Sequence, residues 1–275
     1  MSTKIPIERF YLNLDEEETL IKLIQLSNPK KNKKTIFIWP EGIIPNTNLD
    51  ELKNEFDYLI KKSFSENHTI LLGINDQKIE NGKNKVYNSL SAIDHKVNII
   101  FNYHKNKLVP FGEFLPLENI LSKVGFKTLT NNYQSYSASS ERKLFDFNKS
   151  GKIKILPLIC YEIIYSGKLS SENNYNFIVN ISEDGWFGNS IGPYQHFAHN
   201  IFRSIESGKY ILRSTNNGIA AIINPVGVVE KKINLNETDY IDFTESRKVN
   251  QTLFSQYGNK IFGIIILLYI FIIFS

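Results

Sequence analysis

The chain has 275 residues, 42% of them hydrophobic and 22% charged, which is enough for a full hydrophobic core in one large or two small globular domains. Its net charge of +4 comes from lysines scattered among acidic residues and not from a basic stripe, so binding to nucleic acid is not expected. The single cysteine, Cys160, excludes an intramolecular disulfide but leaves the redox compartment open.

The first part of the chain alternates helical and strand patterns. Residues 1–10 have no apolar core, so no cleavable signal peptide is predicted. Residues 16–26 and 50–64 carry apolar side chains at helical spacing and predict two helices. Three short apolar runs predict strands, at 35–39, 69–73 and 97–103. A polar, turn-rich stretch that contains Asn81 and Gly82 separates the last two.

The stretch 154–164 dominates the middle of the chain. It is almost continuously apolar up to Cys160, which predicts a buried strand that ends at this residue. A further strand is predicted at 177–181 and a helix at 194–207, where Gly208 ends the apolar periodicity. Two closing strands are predicted at 210–214 and 219–224, with Asn217 and Gly218 as the turn between them. This alternation favours a layered α/β or α+β fold.

The residues 261–274 form an uncharged apolar run behind Lys260. As a helix the run would be about 21 Å long, shorter than the roughly 30 Å core of a bilayer. A buried core helix is one interpretation, but a membrane-spanning helix is favoured because the run is apolar on every face. We therefore expect a catalytic domain at 1–232, a polar linker at 233–259 and a transmembrane segment at 260–275.

Three chemically different groups follow directly after predicted strands: Glu41, Lys105 and Cys160. Strand ends on one edge of a sheet reach the same cleft, so these side chains could meet there. Taken singly, they could be a turn carboxylate, a surface lysine and an inert thiol. Together they form an acyl-transfer site: the carboxylate takes the thiol proton, the ammonium stabilises the oxyanion and the sulfur attacks a carbonyl. His196 and His199 lack a third clustered ligand, so no metal site is expected.

Several motifs resemble those of the nitrilase, or carbon-nitrogen hydrolase, superfamily. They are WPE at 39–41, YHK at 103–105, LVPFGE at 108–113 and CYE at 160–162. More narrowly, the chain resembles the apolipoprotein N-acyltransferase family, through LVPFGEFLP at 108–116, NISEDGWFG at 180–188, IGPYQH at 191–196 and LRSTNNGI at 212–219. The resemblance implies an αββα four-layer nitrilase-like sandwich that faces the periplasm at the bacterial inner membrane, followed by one C-terminal transmembrane helix.

The same resemblance implies an activity and its partners. Enzymes of this family move a fatty acyl chain from a phospholipid, through a cysteine thioester, to the α-amino group of the diacylglyceryl-cysteine at the N-terminus of an apolipoprotein. No cofactor is implied. An apolar, lipid-facing cleft would keep water away from the thioester.

Carried over by position, the resemblance makes Glu41 the general base, Lys105 the oxyanion partner and Cys160 the nucleophile. Three supporting residues also match the family: Glu113 beside the triad, and Tyr161 and Glu162 beside the nucleophile. Tyr161 could instead be a packing aromatic and Glu162 a structural ion-pair partner. Four residues lie in matching motifs without an assigned role: Trp186, Phe187, Tyr194 and His196.

The sequence departs from the family pattern at its beginning. Family members start with a bundle of transmembrane helices and a first sheet strand, whereas this sequence starts at about the KIPI motif at 4–7. A family tryptophan soon after that motif corresponds to Phe10 or Tyr11. We therefore expect a truncated or split form, its remainder supplied by a separate chain or absent. The alternatives to an acyltransferase are an inactive remnant or membrane-bound subunit, and a tail-anchored nitrilase-type amidase that releases ammonia.

Overall fold

The computed structural model describes residues 1–12, 15–125, 127–128, 135–147, 153–167, 169–170, 172, 174–244 and 252–274. Within these residues the strands form two sheets, and helices lie outside both of them. The strands are β1 (Ser2–Thr3), β2 (Thr35–Ile38), β3 (His68–Glu80), β4 (Lys83–Asp94), β5 (Ile99–His104), β6 (Phe145–Asp146), β7 (Lys154–Ile159), β8 (Phe177–Glu183), β9 (Tyr210–Asn216), β10 (Ala220–Ile223) and β11 (Val229–Ile233).

The α-helices are α1 (Glu16–Ser27), α2 (Leu49–Glu55), α3 (Asp57–Ser63), α4 (Glu118–Leu121), α5 (Gly192–Ser207), α6 (Leu253–Tyr257) and α7 (Lys260–Phe274). Short 3-10 helices follow two of the strands directly. One begins at the end of β7 and spans Cys160–Ile164, and the other begins at the end of β8 and spans Asp184–Phe187. Both 3-10 helices therefore start where a strand ends at the edge of its sheet.

The smaller sheet has the strand order β2-β3-β4-β5. β2 runs parallel to β3, and the pairs β3–β4 and β4–β5 are antiparallel, so the C-terminal ends of β2 and β5 lie on one edge. β3 and β4 form a long hairpin, whose turn residues Asn81 and Gly82 both have positive φ angles, 52° and 72°. Positive φ at both positions suits the tight turn that the Asn-Gly pair favours.

The larger sheet has the order β11-β10-β9-β8-β7-β6, with β1 paired to β9 at its C-terminal half. β7, β8 and β9 are parallel, so their C-terminal ends also share one edge. The turn between β9 and β10 contains Asn217 with a φ of 53°, in agreement with the predicted hairpin.

The buried side chains form three groups, and each group lies between two neighbouring layers of a four-layer fold. Helices α1 to α3 cover the outer face of the smaller sheet, where Leu20, Leu52 and Ile60 pack on Ile70 and Leu72. Between the sheets lie side chains from both, among them Leu71, Leu90, Tyr103, Ile159 and Ile181. Helix α5 covers the outer face of the larger sheet through Phe197 and Ile201. The predicted αββα sandwich is therefore confirmed.

The single helix predicted at 50–64 is wrong, because the chain forms α2 and α3 with a break at Phe56. Phe56 has φ −118° and ψ 6°, outside the helical region. Each of the two helices still buries its apolar side chains, since Leu52 of α2 and Ile60 of α3 are both fully buried in the same core.

Part of the stretch 233–259, which is predicted as a linker, makes defined contacts with the rest of the chain. Ser2 and Asp239 exchange two backbone hydrogen bonds of 2.9 and 3.2 Å. The ring of Phe243 packs on Phe177 and Tyr210. Residues 245–251, in the middle of that stretch, lie outside the described residues. The part of the stretch up to 244 therefore covers the larger sheet.

Helix α7 occupies the apolar run at the C-terminus, and each of its side chains from Phe262 to Phe274, glycine aside, is exposed by at least 40%. It has 15 residues. Among the described residues no helix is both long and apolar enough to cross a membrane. The predicted transmembrane helix is therefore not confirmed.

Candidate active site

The three predicted catalytic side chains meet in one cavity. Glu41 follows β2, Lys105 follows β5 and Cys160 follows β7, so each comes from the C-terminal end of a strand. All three line a cavity of about 440 Å³. β2 and β5 belong to the smaller sheet and β7 belongs to the larger one, so the cavity lies at the edge where the two sheets face each other.

Lys105 is held between two glutamates. Its Nζ lies 2.9 Å from Oε1 of Glu113 and 3.3 Å from Oε1 of Glu41, and its side chain is 1% exposed. Burial disfavours the ammonium, but the charges of Glu113 and Glu41 outweigh it and hold the pKa of Lys105 well above its usual value. The group is therefore a fixed positive charge inside the cavity.

Asn88 joins the same group, although no sequence pattern singles it out. Its Nδ2 donates hydrogen bonds of 2.7 Å to Oε1 of both Glu41 and Glu113. The other oxygens of the two glutamates accept from backbone amides, Oε2 of Glu41 from Glu183 and Oε2 of Glu113 from Val109, each at 2.9 Å. Both carboxylates are therefore fixed in position before any substrate binds.

Gly73 allows Glu41 to sit this close to the sheet. Its backbone nitrogen donates a hydrogen bond of 3.2 Å to the carbonyl oxygen of Pro40, the residue before Glu41. A Cβ at this position would lie 2.5 Å from Cα of Glu41 and 2.9 Å from Cδ1 of Ile181. Only glycine therefore fits between the two sheets at this point.

Cys160 is the first residue of its 3-10 helix and has a φ of 46°. This left-handed conformation is unfavourable for a side-chain-bearing residue and turns the chain sharply at the end of β7. Burial and the Glu41 carboxylate raise the pKa of the thiol, while the Lys105 ammonium lowers it. Cys160 therefore stays protonated at neutral pH until a base accepts its proton.

Glu162 lies behind Cys160 and does not line the cavity. It is fully buried, and it accepts hydrogen bonds from the backbone nitrogen of Ile159 at 2.8 Å and the hydroxyl of Tyr103 at 2.7 Å. The backbone nitrogen of Asn106 donates to it at 2.9 Å. It thus ties the end of β7 to the loop that follows Lys105. Tyr161, in contrast, lines the cavity, with its ring 5.5 Å from that of Tyr165.

Several other side chains line the cavity, and the sequence assigned a role to none of them. The ring of Trp186 lies 4.8 Å from that of Phe10, and Phe187 lies 5.5 Å from the ring of His196. Tyr136 contributes a buried ring, with its hydroxyl 2.8 Å from Oδ1 of Asn75. Glu41, Lys105 and Cys160 thus face an opening with aromatic walls, which suits an apolar substrate.

The pattern of motifs pointed to some of these residues and not to others. Trp186, Phe187 and His196 lie in motifs that resemble the family, whereas Asn88 lies in a polar stretch that gave no strand pattern. Within the part of the chain that the structure describes, no group of three or more His, Cys, Asp or Glu side chains is arranged to hold a metal ion.

The carbon-nitrogen hydrolase family model matches residues 5–247, which is most of the chain. The chain belongs to the carbon-nitrogen hydrolase family. This carbon-nitrogen hydrolase is 38% identical over 253 residues to the apolipoprotein N-acyltransferase of Rickettsia typhi, and 37% identical over 252 residues to that of Rickettsia prowazekii. Each alignment covers 89% of the chain and 49% of the relative. The chain thus spans about half the length of the curated relatives it matches.

Solved structures show the same fold at low sequence identity. A carbon-nitrogen hydrolase superfamily protein of Xanthomonas campestris, with an arsenic adduct in its active site, has a TM-score of 0.57 at 14% identity and covers 81% of this chain and 82% of its own. An amidase from Nesterenkonia has a TM-score of 0.55 at 10% identity, with 86% and 84% covered. These structures support the fold of this carbon-nitrogen hydrolase and say nothing about its substrate.

Proposed function

We propose that this carbon-nitrogen hydrolase carries out the acyl transfer of an apolipoprotein N-acyltransferase. The observation that carries the proposal is the meeting of Glu41, Lys105 and Cys160 in one aromatic-walled cavity. The identity of 37–38% to curated apolipoprotein N-acyltransferases favours this reaction over the others that the fold supports. The donor is a phospholipid, and the acceptor is the N-terminal diacylglyceryl-cysteine of an apolipoprotein.

In the first half-reaction the sulfur of Cys160 attacks the ester carbonyl carbon of the phospholipid. Glu41 takes the thiol proton as the carbon–sulfur bond forms, because a thiol with a raised pKa cannot supply thiolate by itself. The Lys105 ammonium stabilises the oxyanion of the tetrahedral intermediate. The carbon–oxygen bond then breaks, and the lysophospholipid leaves with the proton that Glu41 returns.

In the second half-reaction the neutral α-amine of the apolipoprotein attacks the thioester carbonyl carbon. The carbon–nitrogen bond forms, the carbon–sulfur bond breaks, and the proton of the amine passes through Glu41 to the sulfur of Cys160. The products are the N-acylated lipoprotein and the original thiol. The aromatic walls around Trp186 and Phe187 would keep water from the thioester between the two steps.

The proposal includes attachment to the bacterial inner membrane, with the catalytic sandwich facing the periplasm. Helix α7 supports it, since its 15 residues contain no charge after Lys260 and its side chains from Phe262 to Phe274, glycine aside, are each at least 40% exposed. A helix of this length reaches about 22 Å, so insertion would require a locally thinned bilayer or a partner. A separate chain that supplies the rest of the relatives' length is the proposed partner.

A thioester trap tests the proposal. The chain is expressed in bacterial membranes, phospholipid with a labelled acyl chain is added, and hydroxylamine-labile label on the protein is measured. We expect label on the native chain and none on Cys160→Ala or on Glu41→Gln, which keeps the shape of the base but not its charge.

Each other outcome identifies an alternative. Folded protein without label, in membranes that also contain a full-length relative's N-terminal helices, would contradict the transferase and favour an inactive remnant or membrane-bound subunit. Release of ammonia from a small amide, without label from phospholipid, would favour a nitrilase-type amidase.

A further inference from the structure

Helix α5 holds the 3-10 helix Cys160–Ile164 at both of its ends. Nε2 of His196 lies 3.2 Å from the backbone oxygen of Cys160. Nη1 of Arg203 donates 3.1 Å to the backbone oxygen of Ile164. His196 and Arg203 are seven residues apart, which places them on the same face of α5, two turns from each other. One helix face therefore contacts the first and last carbonyls of the segment that carries the nucleophile.

His196 is itself held by buried charges. Nδ1 lies 2.9 Å from Oδ1 of Asp184, and Oδ2 of Asp184 lies 2.7 Å from Nη2 of Arg213. The hydroxyl of Ser182 donates 2.7 Å to Asp184. Burial raises the pKa of Asp184, but the charge of Arg213 and the bond to His196 outweigh it and lower the pKa to about 2. The imidazole is thus oriented by a fixed carboxylate.

The hydrogen-bond roles follow from the partners. The oxygen of Cys160 is a peptide carbonyl and can only accept, so Nε2 of His196 carries the hydrogen that it shares with this oxygen. Cys160 also has the unfavourable φ of 46°, a conformation that persists only where the surrounding structure maintains it. A donor aimed at the carbonyl of that same residue is therefore well placed to maintain it.

We propose that His196 and Arg203 are positioning residues that fix the nucleophile turn, with His196 holding the strained peptide of Cys160 and Arg203 holding the other end at Ile164. The inference rests on the proposed function in one respect, because thioester formation is the reaction that the positioning serves. Neither side chain exchanges a proton or forms a bond with the substrate. A displacement of the sulfur by about 1 Å is enough to slow a positioned reaction about 100-fold.

The test uses two amide variants of His196 that differ in which ring nitrogen they replace. In His196→Gln the amide nitrogen takes the place of Nε2 and can still donate to the oxygen of Cys160. In His196→Asn the shorter side chain replaces Nδ1, so the contact with Asp184 remains and the one with Cys160 is lost. Arg203→Met removes the donor at the other end while it keeps most of the side-chain length.

Two rates are measured on the full chain in membranes: alkylation of the only cysteine by iodoacetamide, and labelling from phospholipid. We expect His196→Gln to stay within about threefold of the native chain, and His196→Asn to lose about 10- to 100-fold in both rates. Arg203→Met is expected to lose about tenfold. Melting temperatures are measured beside the rates, so that a loss through unfolding is recognised.

The outcomes separate this inference from the proposed function. Equal alkylation rates in His196→Gln and His196→Asn, with both variants folded, would overturn the positioning role whether or not phospholipid labels the protein. A large difference between them in alkylation, without any label from phospholipid on the native chain, would leave the positioning role in place and contradict the acyl transfer. A loss in His196→Asn that only follows its melting temperature would also overturn the positioning role.

Discussion

Asn88 links the two glutamates of the cavity, because its one amide group donates to both carboxylates. Hydrogen bonds to charged groups contribute roughly 1.5–3 kcal/mol each. Asn88→Asp has the same shape but places a third carboxylate 2.7 Å from Glu41 and Glu113. We expect thioester labelling to fall by about 100-fold at pH 7. It should recover in part at pH 5, where one of the three carboxylates takes up a proton.

The control for this prediction is Asn98→Asp, an equivalent change at an exposed site whose side-chain amide donates to Asp94 at 2.9 Å. Its labelling should stay close to that of the native chain at both pH values. An Asn88→Asp variant with native labelling at pH 7 would show that the two carboxylates do not need the shared donor.

Asp184 is expected to make the stability of the sandwich dependent on pH. Its pKa of about 2 in the fold lies below the usual value of 3.8, so the ionised form stabilises the folded state above about pH 4. This contribution, about 2 kcal/mol, is lost as the pH falls from about 4 to about 2. We expect the difference in unfolding free energy between native chain and Asp184→Asn to shrink over this range, as measured by urea denaturation in detergent.

A difference that is the same at pH 6 and pH 2.5 would mean that Asp184 contributes through packing alone. Ser182→Ala is a suitable companion, because it removes one donor to Asp184 and leaves the ion pair with Arg213 in place. Its effect on stability should be smaller, on the order of 1 kcal/mol.

At the level of elements, the close approach of β3 to the end of β2 is the feature that positions Glu41, the proposed base. Gly73→Ala would place a Cβ 2.5 Å from Cα of Glu41 and 2.8 Å from the oxygen of Pro40, both backbone atoms that cannot rotate away. We expect this variant to lose about 1–3 kcal/mol of stability and to label at least tenfold more slowly. The measurements are urea denaturation and thioester labelling.

Gly82→Asn is the matched control, since it lies in the turn of the same β3–β4 hairpin. No atom lies within 4 Å of a Cβ at Gly82, and asparagine tolerates the positive φ of 72°. The control should keep native labelling. If both variants behave alike, the close packing at Gly73 is not what places Glu41.

The same hairpin shows what sequence patterns can predict and what they cannot. The strand predicted at 69–73 is the apolar beginning of β3, whereas the rest of β3 and all of β4 were expected to be polar and turn-rich. Asn88, Ser89 and Ser91 of β4 are buried although they are polar, so hydropathy does not mark this part of the strand as buried. Its pairing depends on β3 and β5, which no local pattern contains.

The candidate site likewise contains residues that sequence patterns predict and residues that they do not. Glu41, Lys105 and Cys160 were predictable because each follows a strand whose apolar pattern is clear. The partners that orient them come from distant parts of the chain, as when the backbone of Glu183 donates to Glu41 across 142 positions. Such contacts are set by the packing of the two sheets and not by any periodicity. The role of Glu162 behind the nucleophile likewise became visible only with its four donors in place.

For the molecule as a whole, the decisive feature is that one end of the αββα sandwich carries an apolar helix. Helix α6 connects to α5, since the hydroxyl of Thr252 donates to the backbone oxygen of Glu206, and α7 follows α6 directly. The side chain of Glu206 in turn pairs with Arg203 at 2.7 Å. The apolar helix therefore begins close to the helix that contacts the nucleophile turn, which would bring a lipid surface near the cavity.

Removal of residues 260–275 should therefore separate lipid access from chemistry. Attachment to a membrane raises the effective concentration of a lipid substrate, so without α7 we expect labelling from vesicle phospholipid to fall about 100-fold. Labelling by a water-soluble short-chain ester should change less than about threefold, because the removed residues do not line the cavity.

Both rates are compared with a control in which 261–274 are replaced by a leucine-alanine helix of equal length and hydropathy. Equal phospholipid labelling with and without α7 would contradict a role for this helix in lipid access, whereas loss of both reactions would show that it supports the fold of the site.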